Sequence, residues 1–181
     1  VESPPGKRLA ILTNGGGIGV LAVDRLVELG GTPAVLAAET HARLDAVLPP
    51  TWSGSNPVDI VGDAGTERYA VALEALLADP SNDAVLVMNV QTAIASAEEI
   101  AGTVTGIVRQ YRERMQRAAK PVLAVWVGAD PTIGNLLSAA GIPNYPTEDD
   151  AVRGFMHLVR HREVVEELAQ VLVSGAASLE L

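Results

Sequence analysis

The sequence has no cysteine, and aromatic residues make up only 3% of its 181 positions. The lack of cysteine excludes structural disulfides and any zinc site built on thiolates. Basic residues are also scarce, since 13 Lys and Arg stand against 22 Asp and Glu, and the formal net charge is −9. A chain this acidic and this poor in aromatic rings is badly suited to phosphate backbones and to base stacking, so we predict no nucleic-acid partner.

Long apolar runs are missing as well. No stretch approaches the length of about 20 apolar residues that a membrane-spanning helix needs, and residues 1–8 do not have the pattern of a secretion leader. We therefore predict a cytoplasmic protein without a membrane partner. Hydrophobic residues nevertheless make up 48% of the chain, which is enough for an aliphatic core in a single domain.

The chain divides into one expected domain and two short ends. Residues 1–7 begin with Val and contain Pro4, Pro5 and Gly6, which is the composition of an extended linker. We therefore expect the chain to be cut from a longer polypeptide. The domain is predicted to span residues 8–173, and residues 174–181 are predicted to form a tail.

Short apolar runs alternate with amphipathic stretches through this domain. The runs predict strands at residues 9–13, 34–37, 83–90, 122–127 and 143–145. The amphipathic stretches predict helices at residues 17–29, 39–48, 66–78, 96–115, 132–140 and 147–172, and residues 51–65 are expected to form a loop. This alternation indicates an α/β fold, a doubly wound parallel sheet of five strands in the flavodoxin-like order 2-1-3-4-5. In such a sheet ligands bind where the strand order reverses, at the carboxyl ends of the first and third strands.

The first of these strand ends carries a run of glycines. Residues 14–19, here called the glycine turn, are Asn14, Gly15, Gly16, Gly17, Ile18 and Gly19. Unshielded backbone amides at the start of a helix bind anions with the help of the helix dipole. We predict that all six residues contribute to a phosphate site, although a tight turn that needs glycine for close packing would have the same composition. No Gly-Lys-Ser/Thr sequence follows, which excludes a Walker A loop.

The same segment supports a second hypothesis. Gly17, Gly19 and Ala22 have the spacing of a dinucleotide-binding fingerprint, and Glu39 follows near the end of the second predicted strand. Against this hypothesis, residues 14–16 separate the first strand from the first fingerprint glycine, and no hydride-transfer site is evident. A Rossmann-type dinucleotide-binding module therefore stays open as an alternative.

Two polar segments are candidates to support the pocket. Asn56 and Asp59 lie in the predicted loop, where such residues either turn the chain through their own side chains or anchor the loop beside the glycine turn. Gln91 and Thr92 follow the third predicted strand and form either a second wall of the pocket or a simple polar loop.

The histidines offer no obvious chemistry. His41, His157 and His161 are all predicted to lie on helices, and arginines flank His161. His157 and His161 have the spacing of a metal-binding pair, but a surface position explains them equally well. Neither a Ser-His-Asp set nor a pair of catalytic carboxylates is recognisable. We therefore predict no metal site and no catalytic residue in this chain.

Several segments resemble one known family. They are residues 9–24, the sequence Asn56-Pro57-Val58-Asp59 with Gly62-Asp63-Ala64 and Tyr69, and the strand starts at 120–122 and 141–145. Together they resemble the ligase-CoA domain of NDP-forming acyl-CoA synthetases, and the likeness spans residues 8–162. Gly15 and Ile18 stand where this family commonly has Ala and Pro, so the flexibility of the turn differs.

The resemblance implies a defined chemistry. Enzymes of this family join a carboxylic acid to coenzyme A while they convert ATP or GTP to the diphosphate and phosphate, through an acyl phosphate. A histidine on another domain carries the phosphoryl group, and its phosphate lies between the N-termini of two helices from two domains. By residue match, the glycine turn would supply one of these helix N-termini.

The resemblance also implies that the chain is incomplete as an enzyme. None of its histidines lies in a glycine-rich loop, and it has neither an ATP-grasp portion nor a separate CoA-binding domain. It would be inactive alone, with a CoA-binding and phosphohistidine domain and an ATP-grasp domain as partners in the parent chain or another subunit. Coenzyme A, ATP or ADP, and phosphate would be substrates of the full enzyme, and no cofactor would be tightly bound. Related domains are also fused to acetyltransferases, so a non-catalytic sensor of CoA or acyl-CoA is a further alternative.

Overall fold

A computed structural model of the chain describes residues 3–128 and 130–177. The strands are β1 (Arg8–Thr13), β2 (Thr32–Pro33), β3 (Val58–Asp59), β4 (Ala84–Val90), β5 (Val122–Val127) and β6 (Asn144–Tyr145). The helices are α1 (Gly16–Glu28), α2 (Ala38–Asp45), α3 (Thr66–Ala78), α4 (Ala97–Met115), α5 (Pro131–Ala139) and α6 (Glu148–Ala177), with a short 3-10 turn at Gln116–Ala118. None of the helices in the described parts of the chain is both long and apolar enough to cross a membrane.

The six strands form one parallel sheet in the order β2-β1-β4-β5-β6, with β3 paired to β1 off this path. The predicted α/β class is confirmed, and the five expected strands have the order 2-1-3-4-5. The sixth strand, β3, lies in the segment that was expected to be a loop. It shares the outer edge of β1 with β2, because β2 pairs with Arg8 and Leu9 whereas β3 pairs with Leu12 and Thr13.

The predicted position of the second strand is wrong. The strand is Thr32–Pro33, and residues 34–37 have no regular structure. These residues are apolar, but they do not form a strand that is covered on both faces, since the Val35 side chain is 82% exposed. The pairing stops after the Ala34 amide donates to the Leu9 carbonyl at 3.0 Å, since the Asn56 side chain occupies the edge of β1 beyond that point.

Helices cover both faces of the sheet. On one face α1 and α6 pack on Leu9 and Ile11 of β1, and on the other face α3, α4 and α5 enclose Ala10 and Leu12. Continuous apolar runs in β1, β4 and β5 are therefore explained by burial on both sides, as expected for central parallel strands. The carboxyl ends of these strands lie at one edge, where α1 and α3 also begin, and the glycine turn lies at that edge.

Candidate functional site

Asn14 joins the end of β1 to the end of β4. Its Nδ2 donates to the Val90 carbonyl at 2.9 Å, and its Oδ1 accepts from the Val90 amide at 2.8 Å. The side chain thus takes the place of a backbone ladder pair where β1 turns away from the sheet. The residue is 4% exposed, so water competes little for these bonds. The Asn14 side chain therefore supports the predicted phosphate site indirectly, because it holds the glycine turn in position.

Close packing explains three glycines of the turn. A Cβ atom at Gly15 or Gly16 would lie 2.7 or 2.6 Å from a neighbouring side chain, and one at Gly19 would lie 3.0 Å from its nearest neighbour. Gly17 differs, because none of the described residues lies within 4 Å of its Cβ position and the residue is exposed. Packing supplies no reason for a glycine at this position, and the missing side chain leaves the backbone open to solvent.

The first turn of α1 has three backbone amides without an acceptor in the part of the chain that the structure describes. The Gly15 amide donates to Thr13 Oγ1 at 2.9 Å, and the Gly19 amide donates to the Gly15 carbonyl at 3.3 Å. Between them, the amides of residues 16–18 have no acceptor among the described residues. Side chains often cap such amides, but the N-cap residue is Gly15 and has none to offer. Three donors at the positive end of a helix dipole form a suitable anion site.

The start of α1 also lacks negative charge of its own. Its first turn has no acidic residue, whereas α2, α3, α4 and α6 each have at least one there. Acidic side chains in a first turn compensate the helix dipole from within the helix. In α1 this compensation is left to a group from outside the helix.

Asp59 is such a group. Its Oδ1 accepts from the Val61 amide at 2.9 Å. Its Oδ2 lies against Gly16, because a Cβ atom added to that glycine would be only 2.6 Å from this oxygen. Val61 has a φ of 71°, which is rare for a β-branched residue and marks a strained backbone beside the turn. The structure therefore brings Asp59 together with the glycine turn, and the adjacent strain was not predictable from the sequence.

Asn56 supports the loop at a different place. Its Oδ1 accepts from the Ile11 amide at 2.8 Å, and its Nδ2 donates to the Leu9 carbonyl at 3.0 Å. The side chain fills the gap between β2 and β3 along β1, and the peptide bond to Pro57 is cis. Asn56 thus anchors the loop to the middle of β1, below the glycine turn.

A buried hydrogen-bond network lies behind the turn. The Tyr69 hydroxyl of α3 donates to the Met88 carbonyl at 2.9 Å and accepts from Asn89 Nδ2 at 3.1 Å. The Asn14 backbone amide lies near enough to this oxygen to lower the pKa of Tyr69. Burial raises the pKa of Tyr69, so the hydroxyl keeps its proton and remains a donor. The network connects α3 and β4 to the first residue of the turn. The family resemblance includes Tyr69, but the residues around it in the sequence do not distinguish it from an ordinary core residue of an amphipathic helix.

Replacing Tyr69 with Phe is expected to destabilise the domain by about 2 kcal/mol. The change removes the donor to the Met88 carbonyl and leaves Asn89 Nδ2 without this acceptor, in a place shielded from water. Urea denaturation of the chain measures the loss. Tyr145→Phe is the control, because the Tyr145 hydroxyl forms no hydrogen bond with any of the described residues. A loss equal to that of Tyr69→Phe would contradict the prediction.

Gln91 and Thr92 follow β4 at the same edge of the sheet. Gln91 is exposed, and Thr92 is half-buried with its Oγ1 at 3.5 Å from the Ile94 amide. Among the described residues, no hydrogen bond joins either side chain to the glycine turn. Their place in a pocket wall therefore stays a prediction.

Glu39 does not lie at the end of a strand. It is exposed in the first turn of α2, because residues 34–37 do not extend β2. The position expected for the acidic residue of a dinucleotide fingerprint is therefore wrong. Gly19, in contrast, packs closely against β1 and Pro57, which accounts for one fingerprint glycine by packing alone.

No metal cluster is found within residues 3–128 and 130–177, where no three His, Asp or Glu side chains are grouped to hold an ion. His157 and His161 are exposed on α6. The absence of a metal in the functioning protein stays a prediction.

Comparisons with known proteins agree on one group of relatives. The alpha subunit of acetate–CoA ligase (ADP-forming) II from Pyrococcus furiosus is 33% identical over 164 residues, which are 90% of this chain and 35% of the relative. Acetate–CoA ligase (ADP-forming) I from Archaeoglobus fulgidus is 33% identical over 158 residues, which are 86% of this chain and 21% of the relative. A third relative is a solved structure, that of the dinucleotide forming acetyl-coenzyme A synthetase 1 of Ca. Korarchaeum cryptofilum in complex with phosphate and ADP. It superposes on this chain with a TM-score of 0.84 at 27% sequence identity. The match covers 94% of this chain and 36% of the chain in that structure.

The chain thus spans between 21% and 36% of the length of these relatives. A family model described as the ligase-CoA domain matches residues 9–154. The matched region contains the glycine turn, Asn56, Asp59 and the network around Tyr69, and it covers most of the sheet. On this match over most of its length, the chain belongs to the ligase-CoA domain family.

Proposed function

We propose that this chain is a domain of an NDP-forming acyl-CoA synthetase, ADP-forming as in its relatives, in which α1 supplies one helix N-terminus to the phosphate site. The observation that carries the proposal is the set of three amides at residues 16–18 that have no acceptor in the described structure, next to the open Gly17. Donors fixed in advance stabilise the charge of a transferring phosphoryl group without reorganisation. The names of the relatives, and a neighbouring structure that contains phosphate and ADP, support this assignment.

The remaining chemistry is assigned to other domains. Residues 14–19 contain no ionisable side chain, so the turn binds and orients but offers no nucleophile and no base. A CoA-binding and phosphohistidine domain and an ATP-grasp domain would supply those groups. In this proposal coenzyme A, ATP or ADP, and phosphate are substrates of the assembled enzyme, and the present chain is inactive alone.

Titration of the ¹⁵N-labelled chain with inorganic phosphate tests the binding role. The amide resonances of residues 16–18 are expected to shift with a dissociation constant of about 1–10 mM, because only half of a shared site is present. NAD serves as the comparison ligand. Shifts with NAD but not with phosphate would favour the dinucleotide-binding alternative and contradict the proposal.

Activity measurements test the assignment to a multidomain enzyme. The chain alone is expected to form no ATP from acyl-CoA, ADP and phosphate, and activity should appear only when the missing domains are supplied. Two results together would favour a non-catalytic sensor instead. They are a reconstituted enzyme whose activity does not depend on the glycine turn, and binding of acyl-CoA by this chain.

A further inference from the structure

We propose that Asp59 opposes the phosphate bound at the first turn of α1 and keeps this site weak enough to release its ligand. This role depends on the proposed function, because it concerns the same three amides. A site that passes a phosphoryl group onward must not bind it too tightly, since binding the ground state gives no acceleration of the chemical step. A fixed negative charge beside the donors limits that binding.

The Asp59 carboxylate lies against the first residue of α1. Asp59 is the last residue of β3 and pairs in register with Thr13, so it lies level with the end of β1. A Cβ atom at Gly16 would be only 2.6 Å from Asp59 Oδ2, and the carboxylate therefore occupies space that any other residue at position 16 would need. The negative charge therefore lies beside the backbone segment that carries the three amides.

Neighbouring groups hold the carboxylate in this position. Oδ1 accepts from the Val61 amide at 2.9 Å, and the Asp59 amide donates to Ser53 Oγ at 3.0 Å. The Ser53 amide donates in return to the Asp59 carbonyl at 3.3 Å. Since Val61 keeps a φ of 71° in this arrangement, the loop retains a strained backbone while it holds Asp59 beside α1.

Asp59 forms no ion pair among the described residues. Arg68, at the start of α3, donates to the Asp63 carboxylate and, at 3.1 Å, to the Ile60 carbonyl. Its positive charge is therefore paired with Asp63 and not with Asp59. The charge of Asp59 is therefore left to interact with the N-terminus of α1.

Two anions thus compete for one helix N-terminus. Without phosphate, the carboxylate interacts favourably with the dipole of α1. With phosphate bound, the two negative charges repel each other at short range, and near a protein surface such repulsion weakens binding by about tenfold or more. Asp59 consequently lowers the affinity for phosphate.

Phosphate titrations of three variants test this role in the ¹⁵N-labelled chain. Asp59→Asn keeps an acceptor for the Val61 amide and removes the charge, so it is expected to bind inorganic phosphate about tenfold more tightly. Asp59→Ala removes the charge without adding a donor and is also expected to bind more tightly. Asp24→Asn removes an exposed charge further along α1 and should leave the affinity within about twofold of the wild type.

Several results would overturn the role of Asp59. The first is an affinity for phosphate that is unchanged or lower in Asp59→Asn. The second is an affinity that rises in Asp59→Asn but not in Asp59→Ala. The third is an affinity that Asp59→Asn lowers only when Mg²⁺ is present. The second result would point to a new donor on Asn, and the third to a carboxylate that holds a cation. Damage to the fold cannot imitate the expected result, because a disordered turn binds less tightly. If phosphate shifts residues 16–18 in neither the wild type nor any variant, the proposed function fails as well.

Discussion

Gly17→Asp, introduced into the assembled synthetase, is expected to lower acyl-CoA-dependent ATP formation by about a hundredfold or more. Gly17 is exposed, and its amide is one of the three in the first turn of α1 that lack an acceptor in the described structure. A carboxylate on this residue reaches the space in front of these amides. It would repel the phosphoryl group that the amides stabilise, at a distance where screening by salt is weak.

The same substitution is expected to leave the domain at least as stable as the wild type. Within residues 3–128 and 130–177, no atom lies within 4 Å of the Cβ position of Gly17, so the new side chain displaces none of these neighbours. Glycine in a helix costs about 1 kcal/mol relative to alanine, and an acid in the first turn interacts favourably with the helix dipole. Repulsion from Asp59, which lies against Gly16, offsets part of this gain. Lost activity together with an unchanged or higher melting temperature separates a binding role from a structural one.

Gly17→Asn is the matched control, because Asn has nearly the shape of Asp and carries no charge. It is expected to retain about ten times the activity of Gly17→Asp or more. Initial rates of ATP formation from acyl-CoA, ADP and phosphate measure the activity, and thermal unfolding of the chain measures the stability. Full activity in Gly17→Asp would show that α1 does not face the phosphoryl group. Equal losses in both variants would assign the effect to the size of the side chain.

Most of the sheet was predictable because its signals are local. The continuous apolar runs of β4 and β5 indicate strands buried on both faces, and the helical spacing between them implies parallel strands joined by right-handed crossovers. The second strand was misplaced because the extent of an edge strand depends on its partner. The Asn56 side chain pairs with β1 at Leu9 and Ile11, and nothing near residues 34–37 in the sequence reports this competition.

The glycine turn was recognisable because its residues are consecutive, but the separate roles of its glycines were not. Val90, Asp59 and Thr13 come from other elements and reach three different glycines of the turn. Which glycine is required for packing therefore follows from tertiary contacts, and among the four glycines of the turn only Gly17 lacks such a contact with the described residues. The contact of Asp59 with Gly16 has the same origin, since it arises from the pairing of β3 with the end of β1.

Asp83→Ala is expected to destabilise the domain by about 2 kcal/mol, because the carboxylate is buried whereas its partner Arg8 is 46% exposed. Asp83 immediately precedes β4, and its side chain is 4% exposed. It accepts from the Arg8 amide and Arg8 Nε at 2.9 Å and from a terminal guanidinium nitrogen at 2.8 Å. Without the carboxylate, these donors at the amino end of β1 lose their acceptor. Urea denaturation measures the loss, and Asp63→Ala, which breaks an exposed pair with Arg68, should change the stability far less.

Acid is expected to remove the same stabilisation. Burial alone would raise the pKa of Asp83, but hydrogen bonds from the Arg8 guanidinium and amide outweigh it and hold the pKa below its ordinary value. Such a carboxylate stabilises the fold fully above its unfolded pKa of about 3.9, and this contribution is lost as the pH falls through the lower pKa of the folded state. The free energy of unfolding should therefore decrease from about pH 5 to pH 2. Urea denaturation at each pH measures this free energy, and its decrease should be shallower in Asp83→Asn than in the wild type. Equal slopes in the two proteins would show that Asp83 contributes nothing to the acid sensitivity.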